Sequence, residues 1–138
     1  MKREQSPYRL RMQADINQFY AGAYDDINTI TTAPLETGLK VLTVLLESAC
    51  HGQNIGPIVL ARDLLKNISS EWLYQHLPVI VRECIDLDDE WEYRRLLEVV
   101  QETVPILLKK YVLLGLHSKN EEVREAAEDY VVMSGTEQ

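Results

Sequence analysis

The chain has 138 residues, of which 46% are hydrophobic and 26% are charged, a composition typical of one globular domain over residues 1–138. Twenty-two acidic residues against 14 basic ones give a net charge of −8. This charge disfavours direct nucleic-acid binding and contact with an anionic membrane, which both require clustered positive charge, and it favours a basic protein partner.

Helical periodicity covers nearly the whole chain, and no segment shows the alternation of a strand. Apolar positions recur at three and four residues behind start signals that a capping side chain or a proline provides. We predict helix starts at Ser6 and Pro7, at Thr32 to Pro34, at Asn54 to Pro57, at Ser69 to Glu71, at Asp86 to Asp89 and at Asn120. The sequence therefore predicts an all-α fold of six or seven antiparallel helices, in pairs that recur about every 35 to 45 residues.

Glycine and proline residues predict where the helices end or bend. Gly52 follows the second helix, and we expect it in the left-handed conformation that terminates a helix. Pro78 is expected to break or kink the fourth helix. The longest apolar stripe, from Tyr93 to Leu114, continues in phase through Pro105. This segment is either one kinked helix or two abutting helices, and we expect it to be the central buried element.

The two cysteines, Cys50 and Cys84, fall in apolar helical patterns. We expect two buried, reduced thiols without a disulfide, since a secreted domain of this size usually carries several bridges. The basic N-terminal residues precede no apolar stretch, so no secretory signal is expected, and no stretch has the length of a membrane span. These features predict a cytoplasmic location.

The negative charge is concentrated in residues 83–102, where eight acidic side chains stand against Arg94 and Arg95, a net charge of −6. Inside this segment, carboxylates surround two aromatic residues. Because aromatic residues anchor protein interfaces and carboxylates orient a basic partner, we predict a partner-binding site here. Its residues are Asp86, Asp88, Asp89, Glu90, Trp91, Glu92 and Tyr93. The alternative is helix capping, in which the same carboxylates stabilise the start of a helix.

Motifs that indicate catalysis are missing from the sequence. The six glycines are isolated, which excludes glycine-rich phosphate loops, and no zinc or di-iron spacing occurs. His51 and His117 lie near helix-terminal glycines, where an imidazole can bond the last carbonyl groups. Glu98 and Glu102 share a helix face and are expected to be solvated. We therefore predict that the protein is not an enzyme and has no cofactor, no metal and no small-molecule substrate.

The segment from Ser118 to Tyr130 resembles the second helix of a HEAT-type repeat. A capping Asn120 leads into Val123, Arg124 and two small residues, Ala126 and Ala127, at the place where that helix makes its closest contact. The resemblance implies a short right-handed stack of antiparallel helix pairs, an α-α superhelix.

Two further segments, Glu71 to Leu73 and Asp89 to Glu98, resemble small bacterial HEAT-like proteins. Many of these are immunity proteins encoded beside toxins, including those of contact-dependent growth inhibition and polymorphic toxin systems. The resemblance implies a non-catalytic protein that neutralises a toxin domain, often a basic nuclease, by covering its active or substrate-binding surface. A helical-repeat adaptor or regulatory subunit without a toxin partner is the alternative.

Overall fold

Helices dominate the computed structural model, which describes residues 6–134. The ends of the predicted domain, residues 1–5 and 135–138, lie outside the described residues. The α-helices are α1 (Pro7–Phe19), α2 (Leu35–His51), α3 (Ile55–Lys66), α4 (Ser70–Cys84), α5 (Glu90–Thr103), α6 (Leu108–Leu116) and α7 (Glu121–Ser134), with short 3₁₀ helices at Ile27–Thr31 and Pro105–Leu107. Between residues 6 and 134 there is no β-strand. The predicted all-α fold of six or seven helices is confirmed.

Three of the predicted start signals act as helix caps. The Ser69 hydroxyl accepts a hydrogen bond from the Trp72 amide at 3.3 Å. Asp89 caps α5 with its carboxylate, and the Asn120 side chain accepts a bond from the Glu122 amide at 2.9 Å. Each cap satisfies an amide that has no partner within its own helix, which explains why these helices begin where they do.

The helix α2 lies at the centre of the fold and contacts α1, α3, α4 and α5. Its buried residues are Gly38, Val41, Leu42, Leu45, Leu46, Ala49 and Cys50. Three residues join α2 to α3, and four join α6 to α7, so these two contacting pairs run antiparallel. The resemblance of the arrangement to a HEAT-type stack stays a prediction.

The structure corrects one prediction about a helix end and part of one about a bend. Gly52 has φ −68°, so it is not left-handed; a Cβ there would lie 3.0 Å from the Ser48 carbonyl oxygen, so glycine instead allows a close approach of the chain. The helix α4 continues through Pro78, so the predicted break is wrong, and the alternative of a kink stays a prediction. Pro78 cannot donate to the carbonyl of Tyr74, but Tyr74 is 49% exposed, where water can replace the missing bond.

The segment around Pro105 consists of two abutting helices rather than one kinked helix. Val104 has φ −146° and ψ 69°, which is not helical, because the proline ring disfavours the helical conformation of the residue before it. Leu96 and Leu97 on α5 are fully buried, as predicted, whereas Leu114 on α6 is 48% exposed and leaves the predicted stripe. The stripe is therefore part of the core, but the helix at the centre of the core is α2 and not this segment.

We expect the Leu97→Ala substitution to lower the free energy of unfolding by about 2–5 kcal/mol, because it leaves a cavity among fully buried side chains. Leu113→Ala on α6 is the matched control, since Leu113 is 46% exposed, and it should cost less than about 1 kcal/mol. Chemical denaturation of both variants measures the difference. Equal losses would contradict the position of Leu97 in the core.

Candidate interaction site

A surface cleft of about 440 Å³ lies where the end of α2 meets the start of α5. We call it the Trp91 cleft. Its lining residues are Cys50, His51, Gly52, Gln53, Asp89, Trp91, Glu92 and Arg95. Three of the predicted partner-binding residues, Asp89, Trp91 and Glu92, thus line one concave surface. The residues from α2 lie about 40 positions away in the chain, and no motif in the sequence indicates that they join this site.

The cap of α5 positions the side chains of the cleft. Asp89 Oδ1 accepts hydrogen bonds from the amides of Trp91 and Glu92, both at 3.0 Å, and so starts the helix at this point. Trp91 in the first turn is 64% exposed. The Arg95 guanidinium, one helical turn later, lies 5.9 Å from the centroid of the Trp91 ring. An exposed aromatic ring is therefore held beside a cation at the edge of the cleft.

A histidine joins three helix ends at the base of the cleft. His51 Nε2 lies 3.0 Å from the Cys84 carbonyl oxygen and 3.0 Å from Glu92 Oε1. Since both partners are acceptors, we assign the proton to Nε2. Glu92 Oε1 also accepts a bond from the Asp86 amide at 2.9 Å. These bonds connect the ends of α2 and α4 to the first turn of α5.

The two predicted capping histidines differ in what they cap. His117 Nδ1 lies 2.9 Å from the Leu113 carbonyl oxygen, so it caps its own helix, as predicted. His51 instead bonds to the last residue of α4 and not to its own helix. The sequence pattern identified the chemistry of His51 but not its partner.

The other predicted carboxylates also have internal partners. Asp86 Oδ1 accepts a bond from the Asp88 amide at 2.9 Å, and Asp88 Oδ1 accepts one from the Ser118 hydroxyl at 2.6 Å, which links the starts of α5 and α7. Glu90 Oε2 pairs with Arg94 Nε at 2.9 Å. These contacts favour the capping alternative for this part of the segment, although each of these bonds uses only one oxygen of its carboxylate.

Tyr93 is a correction to the predicted site. Its side chain is fully buried, and its hydroxyl donates a 2.7 Å hydrogen bond to the Tyr111 carbonyl oxygen. Burial raises the pKa of the phenol well above its usual range. A Cβ at Gly115 would overlap the Tyr93 hydroxyl, so glycine is required at that contact. Tyr93 therefore belongs to the core and cannot contact a partner.

Cys50 is buried, as predicted, whereas Cys84 is half-buried. Burial and, to a smaller extent, the nearby Glu92 carboxylate together raise the pKa of the Cys50 thiol to about 12. The thiol is therefore protonated at neutral pH and is a poor nucleophile, because the thiolate is the reactive form. Proximity to His51 does not activate it.

The sequence predicts that Glu98 and Glu102 are solvated, but both of them have a basic partner. Arg62 on α3 bonds to both of them, with Nη1 3.2 Å from Glu98 Oε1 and Nε 3.2 Å from Glu102 Oε1. Lys66 Nζ lies 3.8 Å from Glu102 Oε1. This network connects α3 to α5 across a separation of about 40 residues, and helical periodicity carries no information about such pairs.

Comparison of the chain with protein-family models, with curated proteins and with solved structures finds no match. Within residues 6–134, no three His, Cys, Asp or Glu side chains are grouped so that they could hold a metal ion. Among the same residues, no helix has both the length and the apolar character that a membrane crossing requires. The functional argument therefore starts from the geometry of the Trp91 cleft.

We expect Trp91→Ala and Tyr93→Ala to affect stability differently. The exposed Trp91 side chain contributes mainly its contact with Arg95, so its loss should change the free energy of unfolding by about 1 kcal/mol or less. The buried Tyr93 side chain should cost about 3–5 kcal/mol. Denaturant titration of both variants tests this, and a similar loss in the two variants would place Trp91 in the core.

The Arg62–Glu102 pair predicts a pH dependence of stability. Its hydrogen bond lowers the pKa of the Glu102 carboxyl below the unfolded value. The contribution of the pair is therefore fully present above the unfolded pKa and is lost as the pH falls through the lowered folded value. The difference in free energy of unfolding between wild type and Glu102→Gln should shrink between about pH 6 and pH 3. Glu125→Gln, on the exposed face of α7, should show no such change.

Proposed function

We propose that this chain is a non-catalytic immunity protein that acts in the cytoplasm and neutralises a basic toxin domain. The observation that carries the proposal is the 64% exposed Trp91 at the edge of a 440 Å³ cleft, inside the segment with net charge −6. Tryptophan is among the residues most enriched in the few contacts that carry the binding energy of an interface, and at the edge of a cleft its ring is open to a partner. Its place among carboxylates favours a partner of opposite charge.

The charge around the cleft supports fast recognition of a basic partner. Asp86 and Asp89 are exposed, and Asp88, Glu90 and Glu92 are half-buried, so their charge reaches the solvent. Summed over the segment, it gives a negative potential that attracts a cationic surface and raises the association rate. The resemblance to bacterial immunity proteins suggests a nuclease, whose substrate-binding surface is basic because it holds phosphate groups.

The Trp91 ring supports slow dissociation. Trp and Arg are the residues most enriched where a few contacts carry the binding energy, and here the Arg95 guanidinium lies on the Trp91 ring. When a partner covers Trp91 and Arg95, both side chains would lose their contact with water and form the centre of an interface. Neutralisation then needs no chemistry, because a stable complex over the toxin's active or substrate-binding surface excludes the substrate.

The direct test is protection from a toxin. A toxin domain encoded beside the gene of this chain is expressed in a bacterial host with and without the chain, and growth is measured. We expect growth only when the chain is present, and a stable complex when the two proteins are purified together. A neighbouring toxin that kills cells despite the chain would overturn the proposal. Binding to a basic protein with no toxic activity would favour the adaptor alternative.

The carboxylate charges and the aromatic anchor should affect different rate constants of binding. The variant with Asp88→Asn, Asp89→Asn, Glu90→Gln and Glu92→Gln keeps the hydrogen-bond acceptors and removes four charges. It should lower the association rate about tenfold or more at low salt and flatten its salt dependence. Trp91→Ala should mainly raise the dissociation rate, at a cost of about 2 kcal/mol or more.

The matched control removes the same charge from α7, at the exposed residues Glu121, Glu122, Glu125 and Glu128. It should lower the association rate less than the cleft variant does. Surface-based kinetics at two salt concentrations, with the toxin domain immobilised, measure both rates. Equal association rates for wild type and the cleft variant at low salt would contradict the steering role of this segment.

A further inference from the structure

Two carboxylates line the Trp91 cleft at the start of α5. Asp89 is the N-cap residue, and Glu92 lies in the first turn of the helix. Asp89 uses Oδ1 for the cap, and Glu92 uses Oε1 for His51 and for the Asp86 amide. Within the described part of the chain, no hydrogen bond or ion pair engages Asp89 Oδ2 or Glu92 Oε2. Each of these two cleft-lining residues therefore has one carboxylate oxygen available to a ligand.

The charges of the residues that line the cleft indicate which sign of charge a ligand should carry. Asp89 and Glu92 contribute two negative charges and Arg95 one positive charge, so these three side chains of the lining carry a net charge of −1. The Arg95 guanidinium already lies on the Trp91 ring, and no carboxylate among residues 6–134 pairs with it. The surrounding segment, with net charge −6, adds to the negative potential. A cation is favoured over an anion.

We propose that the Trp91 cleft receives one arginine side chain of the partner. Its planar guanidinium would donate to Asp89 Oδ2 and Glu92 Oε2, and its aliphatic stem would pack against the exposed indole. Two carboxylates that line one cleft suit a forked donor better than the single ammonium group of lysine, and guanidinium groups also pack well on aromatic rings. The proposal rests on the proposed function in one respect only, that the partner is a basic protein.

The hydrogen bonds within the site make the cleft ready for this ligand. The cap fixes the position of Asp89, and the contact with His51 fixes that of Glu92. Both acceptors are therefore held before the guanidinium arrives, so binding orders fewer side chains than it would on a flexible surface.

The test uses two short probe peptides, acetyl-Gly-Arg-Gly-amide and the same peptide with citrulline in place of arginine. Citrulline has nearly the same shape and no charge. Each peptide is titrated into the full chain at constant ionic strength, and the indole N–H signals are followed by nuclear magnetic resonance. Trp72, whose ring packs on His76 with 4.8 Å between the centroids, is the internal control. We expect saturable shifts of the Trp91 signal with the arginine peptide only.

The decisive variant is Asp89→Asn combined with Glu92→Gln. Asparagine caps a helix as well as aspartate does, and both amides keep an acceptor oxygen, so the fold should be retained. We expect the arginine peptide to bind about tenfold more weakly, because two charge-assisted hydrogen bonds become neutral ones. The matched control, Glu121→Gln with Glu122→Gln, removes the same charge from the first turn of α7 and should bind as wild type does.

Three outcomes would overturn the proposal: no saturable shift of Trp91, equal shifts with the citrulline peptide, or equal weakening in the two double variants. None of these bears on protection from a toxin, which is measured in cells. Protection without arginine-peptide binding would contradict the cleft proposal and leave the proposed function standing. Arginine-peptide binding without protection from the neighbouring toxin would contradict the proposed function alone.

Discussion

The burial of α2 against four other helices is the constraint on which the rest of the structure depends. A helix that is packed on most of its sides cannot shift without opening the core, so both of its ends have fixed positions. Its C-terminal residue, His51, then meets α4 and α5 at a defined place through bonds to Cys84 and Glu92. The position of the Trp91 cleft follows from this packing, because the cleft forms where the buried helix α2 ends beside the start of α5.

Helix capping and partner binding make opposite demands on the carboxylates of residues 86–92, and the structure accommodates both. A cap needs one oxygen near the first amides of the helix, whereas a partner needs charge that reaches the solvent. Asp89 illustrates this, since Oδ1 caps α5 while the residue is exposed. The negative charge also interacts favourably with the partial positive charge of the helix N-terminus. The same side chains can therefore stabilise the fold and produce the field that attracts a basic protein.

Local patterns in the sequence predict much of the fold, and their failures have physical causes. Capping residues such as Ser69 and Asn120 identify helix starts because the cap is a contact between near neighbours. The pairing of Arg62 with Glu102 joins residues 40 positions apart, and it depends on how α3 packs on α5. The cleft is unpredictable for the same reason. Tyr93 differs, because its spacing with the buried Leu96 and Leu97 indicates the core, yet its place beside Trp91 suggested an interface.

The internal bonds of the predicted site favour binding as well as folding. An interface built from freely rotating carboxylates would have to order each side chain on association, which costs binding free energy. Here the contacts that support the capping alternative hold Asp89 and Glu92 in place, and the Arg95 guanidinium lies over the Trp91 ring. Tyr93, buried two residues beyond Trp91 and bonded to the Tyr111 carbonyl, packs in the core together with Leu96 and Leu97 of the same helix. The buried face of α5, which includes a residue wrongly expected to contact the partner, thus leaves Trp91 exposed to the solvent.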